Sequence, residues 1–246
     1  MYYFDSSYYI FLVPLLLCMI LSIYASSKVK STYGKFDQVR NRRGFTGRDT
    51  VQRLMQMNGV SDISIGRVSG ELSDHYHPTK RIVNLSESTH DSASVASVAV
   101  AAHEMGHVMQ NKTGYLFYRI RTAIVPVVNL GSLLAVPMVI IGMLLEIYVY
   151  SAQNSDTGFY VAMVGVVLYG LSFLFALVTL PVELDASRRA EKMLLQAGIL
   201  YDEEIPAVRK VLSAAAMTYL ASLLTSLVYF LRFLFWVLSI FGKRDD

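Results

Sequence analysis

Four long apolar runs constrain what this chain can fold into more than anything else in it. Inside a bilayer every backbone N–H and C=O must find its partner within the segment, so such runs are expected to be helices. The spans fall near residues 8–26, 124–150, 159–182 and 217–241. Over the whole chain 54% of the 246 residues are hydrophobic and the mean hydropathy is +0.42, too apolar for an ordinary soluble domain of this length. Lys28, Lys30, Lys35, Arg40, Arg42 and Arg43 crowd the end of the first span, which places that end in the cytoplasm and the N-terminus outside. No Lys or Arg precedes this run, so it reads as an uncleaved anchor and not as a signal peptide. The connector Ser151–Gly158 carries one Asp and no Lys or Arg, as suits an extracytoplasmic turn. Arg188, Arg189, Lys192, Arg209 and Lys210 mark the cytoplasmic face again. Lys243-Arg244 runs against the same rule and leaves the side of the tail open. The expected fold is mostly α: one multipass membrane-embedded unit over 1–246, with cytoplasmic sections at 27–123 and 183–216 that hold a small β-sheet.

Between the first two spans lies Ala101-Ala-His103-Glu104-Met-Gly-His107-Val-Met-Gln110. Histidines four apart on a helix share one face, and the glutamate beside the first sits about 100° around. This His-Glu-x-x-His spacing lets two imidazoles hold one zinc ion while Glu104 takes a proton from a water on the metal. The preceding run, from Asp91 through Ala102, is small and apolar, so the pair is expected on a buried, close-packed helix capped by Asp91 or Ser92, with His90 part of that cap. The single cysteine, Cys18, sits within an apolar run, so neither a disulfide framework nor a cysteine metal site is expected. No glycine loop suited to phosphate is present, and the basic residues are not interleaved with aromatics in the manner of a nucleic-acid surface.

A catalytic zinc takes three protein ligands and keeps a position for water. The third must lie on the same side of the membrane as His103 and His107. Two spans separate His107 from Glu183, so the chain crosses and returns; an odd number would have made the site impossible. Glu183 and Asp185, just past Pro181 at what reads as a helix start, are the candidates. Two residues apart on a helix they point about 200° from each other, so only one can face the ion. The incomplete site favours Glu183, leaving Asp185 to orient a ligand histidine or to pair with Arg188 or Arg189.

Gly47–Asn58 reads as a short amphipathic helix stopped by Gly59. Ile63–Ile65, Val68–Leu72 and Arg81–Leu85 read as strands, separated by Gly66, Gly70 and the turn-prone Asp74-His75-Tyr76-His77-Pro78. A small sheet beside such a helix offers an edge to an extended peptide. His75 is a candidate for stabilising the oxyanion or meeting substrate, with Tyr219 and Arg188 as alternatives.

These residues carry a resemblance. The chain resembles the YugP-type membrane neutral zinc metallopeptidases of bacteria, through the N-terminal span, Leu72–Pro78, Val98–Gln110, Pro181–Ala190 and Val211–Tyr219. More distantly, Glu183-x-x-Ala186…Ala190 is similar to the Glu-x-x-Ala-Asp-x-x-Ala segment of the HtpX and CAAX-prenyl membrane proteases. In that segment the first Glu is the third zinc ligand. The resemblance implies that Glu183 is that ligand, and it sets Ser187 where those proteins have an aspartate, so that Asp185 takes the supporting role instead. It further implies a peptidase with one catalytic Zn2+ in a bacterial plasma membrane, its site facing the cytoplasm. The substrate would be a protein or peptide, membrane proteins among them. Two rival classes stand beside this. A membrane scaffold with a structural zinc would have no use for Glu104, and a metal transporter would need more ionisable residues inside its spans.

Overall fold

The computed structural model describes residues 7–146 and 156–241. In chain order the elements are α1 (Ser7–Asp37), α2 (Gly47–Met57), β1 (Ser64–Val68), β2 (His75–His77), β3 (Ile82–Ser86), α3 (Glu87–His90), α4 (Val95–Lys112), α5 (Leu116–Leu145) and α6 (Thr157–Gln196). A 3₁₀ turn (Asp202–Glu204) and α7 (Ile205–Phe241) complete the order. The expectation of a mostly helical multipass chain with a small sheet is met: α1, α5, α6 and α7 are each long and apolar enough to cross a bilayer. Most of the connector at 151–158, part of the second span and the Lys243-Arg244 pair lie outside the described residues.

The chain divides into two compact units. One gathers residues 1–22, 120–179 and 220–246. Its helices meet at small residues. A Cβ on Gly142 would lie 2.3 Å from Ala162 N, and one on Gly165 would lie 2.7 Å from Ala135 O. Backbone contact of this kind is how helices associate where the surroundings are as apolar as their side chains. Val139, Ala162, Val166 and Val237 are buried between them.

The other unit gathers residues 23–119 and 180–219 and holds a conventional hydrophobic core. Val98, Ala102 and Met105 of α4 pack with Val51 and Leu54 of α2, Val83 and Leu85 of β3, Ala190 and Leu194 of α6, and Val208 and Leu212 of α7. Full burial of each larger side chain contributes about 1.5–3 kcal/mol. As expected, α2 is amphipathic and stops before Gly59, whose φ is +59°. Thr46 and Asp49 close a capping box at its start.

Several local expectations are corrected. Helix α4 is capped by Ser94, whose hydroxyl accepts from Ser97 N and donates to Asp37 Oδ1 at 2.8 Å. Asp91 and Ser92 precede the cap. His90 ends the separate helix α3 and pairs with Asp91 at 2.6 Å. Pro181 does not begin a helix: α6 runs unbroken through it. A proline removes only one helical N–H, and packing holds the flanking turns, with Val182 and Ala186 fully buried.

The sheet is three-stranded in the order β1-β3-β2, with β1 parallel and β2 antiparallel to β3. The first two expected strands are corrected to one, Ser64–Val68, that runs through Gly66. There a Cβ would come within 2.3 Å of Asn84 Oδ1, so the glycine is a cross-strand fit and not a break. Beyond Val68 the left-handed Gly70 (φ +95°) and Leu72 (φ +53°) prevent an extended chain. The stretch read as a turn instead forms the edge strand β2. Asp74 anchors it by accepting from Ser86 N at 2.7 Å and Ser86 Oγ at 2.9 Å.

Candidate metal centre

The face of α4 that carries His103 and His107 is turned toward α6. Their rings stand edge to face, 4.8 Å between centroids at 84°. Glu183 enters from α6, only 2% exposed, with Oε2 at 3.2 Å from His103 Nε2 and 3.6 Å from His107 Nε2. One donor atom from each of the three residues lies within 4.8 Å of the other two.

This close approach depends on Gly106, inside the His-Glu-x-x-His run. A Cβ there would lie 2.5 Å from the carbonyl oxygen of Ala186 and 3.0 Å from its Cα. Glycine and alanine thus let the two backbones touch next to His107 and about one turn from Glu183, bringing that carboxylate within reach.

The donor set fits one zinc ion. Two ligands about 2.1 Å from a shared tetrahedral ion stand about 3.4 Å apart, and the histidine-to-carboxylate separations of 3.2 and 3.6 Å bracket that figure. Both imidazoles direct Nε2 at Glu183, leaving each Nδ1 for a supporting contact. Ser187 Oγ lies 3.2 Å from His103 Nδ1. Gln110 Oε1 lies 3.0 Å from His107 Nδ1. Burial alone would lower the basicity of His107, but the hydrogen bond and charge of Glu183, with smaller help from Glu104 and Gln110, raise its pKa above 6.5.

Glu104 is buried beside the cluster, and its Oε2 accepts a 2.8 Å hydrogen bond from the backbone N–H of Tyr76. The edge strand β2 therefore meets α4 at this carboxylate. A second tie reinforces the contact, because Asn111 Nδ2 donates to Tyr76 Oη at 3.0 Å.

The structure brings His103, His107 and Glu183 together with Glu104 at their side. Asp185 turns away from the cluster, as the helical spacing requires, and accepts from Gln110 Nε2 at 2.8 Å and from Arg189 Nε at 2.6 Å. It meets His107 only through Gln110. Ser187 occupies the place on His103 that the distant resemblance assigns to an aspartate. His75 is engaged in the sheet, with Nδ1 donating to Ser73 O at 2.9 Å and Nε2 accepting from Asn84 Nδ2 at 3.0 Å. His77 Nδ1 accepts from Lys80 N, and neither histidine joins the three-residue group. Arg188 is exposed and Tyr219 half-buried. Gln110 and the Tyr76 amide were not anticipated. The glutamine's position three residues after His107, on the same helix face, was the available signal; a backbone N–H leaves none.

Comparison with known proteins supplies the family. Residues 8–238 match the family model described as "Putative neutral zinc metallopeptidase". The chain belongs to this family. The "Putative membrane protease YugP" of Bacillus subtilis (strain 168) is 38% identical over 226 residues, covering 92% of this chain and 94% of that protein. No solved structure matches the chain significantly. Family membership makes a zinc metallopeptidase acting on proteins or peptides the expected class, and the His-His-Glu group is a site able to hold one metal ion.

Proposed function

We propose that the chain is a membrane-bound zinc endopeptidase of the gluzincin type, with His103, His107 and Glu183 as metal ligands and Glu104 as general base. The observation that carries this reading is the convergence of two Nε2 atoms on one buried carboxylate oxygen, at 3.2 and 3.6 Å, with all three donors within 4.8 Å of one another. An acid beside them, buried at the edge of a sheet, supports it further. A zinc ion held there supplies Lewis acidity, lowering the pKa of a water toward neutrality and polarising a carbonyl.

The chain's own residues do the rest. Glu104 accepts the proton of the attacking water and delivers it to the departing amine nitrogen as the peptide bond breaks. The Tyr76 N–H holds Oε2, which leaves Oε1 to move the proton. An extended substrate would lie along the edge of β2 beside Glu104, whose carboxylate already takes the Tyr76 N–H of that edge. The basic residues that follow the first span, together with Arg188, Arg189 and Lys192, support a site facing the cytoplasm, in sections 27–123 and 183–216. Asp185 is assigned a supporting role through Gln110, and His75 would meet substrate on β2 by giving up its bond to Ser73 or Asn84.

Purified protein in detergent should contain stoichiometric zinc. Glu104→Gln should retain it, and the amide oxygen can still accept from Tyr76, while peptide cleavage falls by on the order of 10²–10⁴. Comparison of newly cleaved N-termini in cells carrying either form would identify substrates. Zinc in both forms with identical cleavage profiles would move the chain to the class of zinc-stabilised membrane scaffolds. Absence of zinc from the wild type would remove the reading.

A further inference from the structure

We infer that Gln110 is the positioning residue of this centre: its amide compels His107 to carry its proton on Nδ1, which leaves Nε2 free to bind metal. This inference rests on the metal-ligand reading of His107.

Gln110 is fully buried and sits three residues beyond His107 on α4. Its Nε2 lies 2.7 Å from Val182 O and 2.8 Å from Asp185 Oδ2. A backbone carbonyl can only accept, and Asp185 Oδ2 already accepts from Arg189 Nε at 2.6 Å. Both hydrogens of the amide are thereby committed. Turning the amide over would set its oxygen against two oxygens at a fully buried position. Oε1 therefore faces His107 as an acceptor with no hydrogen to give, and across 3.0 Å the donor has to be Nδ1–H. In a neutral imidazole the lone pair then falls on Nε2, the nitrogen that faces Glu183.

His103 is supported differently. Its Nδ1 meets the hydroxyl of Ser187 at 3.2 Å, and a hydroxyl either donates or accepts, so it imposes no tautomer. Gln110 is the group with directional authority, and it acts on one histidine of the pair. The same amide also holds α6 at Val182 and Asp185, on either side of Glu183, so one side chain orients one ligand and locates another.

The test uses full-length protein in detergent and measures zinc affinity by chelator competition. Gln110→Met keeps the length and removes both the acceptor and the donors. It should weaken zinc binding by about tenfold or more. A folded Gln110→Met protein that binds zinc as tightly as wild type overturns the inference and leaves the metal-ligand reading intact. Wild type that binds no zinc overturns both. Should the variant not fold, wild type decides: in zinc-loaded protein labelled with 15N-histidine, NMR should find His107 protonated on Nδ1 and coordinated through Nε2. Coordination through Nδ1 overturns the inference.

Discussion

Gly106 lies between the two histidines, and replacing it by alanine tests whether helix contact sets the metal site. The new Cβ would lie 2.5 Å from Ala186 O, about 0.9 Å short of ordinary 3.4 Å contact. The obstacle is backbone, on a helix whose neighbouring residues Val182 and Ala190 are fully buried, so α4 and α6 must part by roughly that amount. Overpacking of this kind costs about 1–3 kcal/mol, while alanine returns about 1 kcal/mol of helix propensity. The net stability loss should be small, no more than about 2 kcal/mol. Metal binding should suffer far more, because ligand distances tolerate only about ±0.2 Å and the gap carries Glu183 with it. The assay is zinc affinity by chelator competition, beside thermal unfolding of the same samples. Gly34→Ala is the control: it lies on α1, a Cβ there meets nothing within 4 Å, and it should stabilise slightly without touching zinc affinity. A Gly106→Ala protein that binds zinc like wild type would refute the idea that backbone contact at Ala186 places the third ligand.

Two further outcomes follow from the site. Glu183→Ala should lose stoichiometric zinc, whereas Asp185→Asn should keep it, because the amide oxygen of an asparagine can still accept from Gln110; metal analysis of both variants would expose an exchange of their roles. The pKa of His107 is raised above 6.5 in the metal-free protein, its burial outweighed by Glu183, Glu104 and Gln110. A proton there competes with metal, so zinc affinity should climb as pH rises from about 6 through the raised pKa and then level off. By the same linkage, the stability that this histidine gives the metal-free protein is full below 6.5 and lost as pH rises through the raised value. Chelator competition and thermal unfolding between about pH 6 and pH 9 read both effects, and a flat affinity profile would contradict them.

The amino-acid sequence by itself determined the features that rest on neighbouring residues. Four apolar runs specify helices long enough to cross a bilayer, because unpaired backbone groups cannot be left in hydrocarbon. The spacing of His103, Glu104 and His107 specifies their directions on a helix, and the two intervening spans return Glu183 to the side of the histidines. Strand positions were less legible. Gly66 reads locally as a break, and only the cross-strand neighbour Asn84 shows why a strand keeps a glycine there. Asp74–Pro78 reads as a turn until Ser86 and Thr89, paired with Asp74 across a gap of twelve to fifteen residues, show its anchorage as an edge strand. Pro181 reads as a helix start because proline disfavours helix interiors, yet packing across the helix outweighs one missing hydrogen bond.

Tertiary structure alone decided what the second helix brings to the first. The contact of Gly106 with Ala186, the hydrogen bonds from Gln110 to Val182 and Asp185, the approach of Ser187 to His103 and the grip of the Tyr76 amide on Glu104 all join distant residues. Periodicity is a property of a few consecutive residues and survives in any fold. Which carboxylate reaches a histidine eighty positions away depends on how closely two helices approach, and that distance is set by the whole buried surface between them.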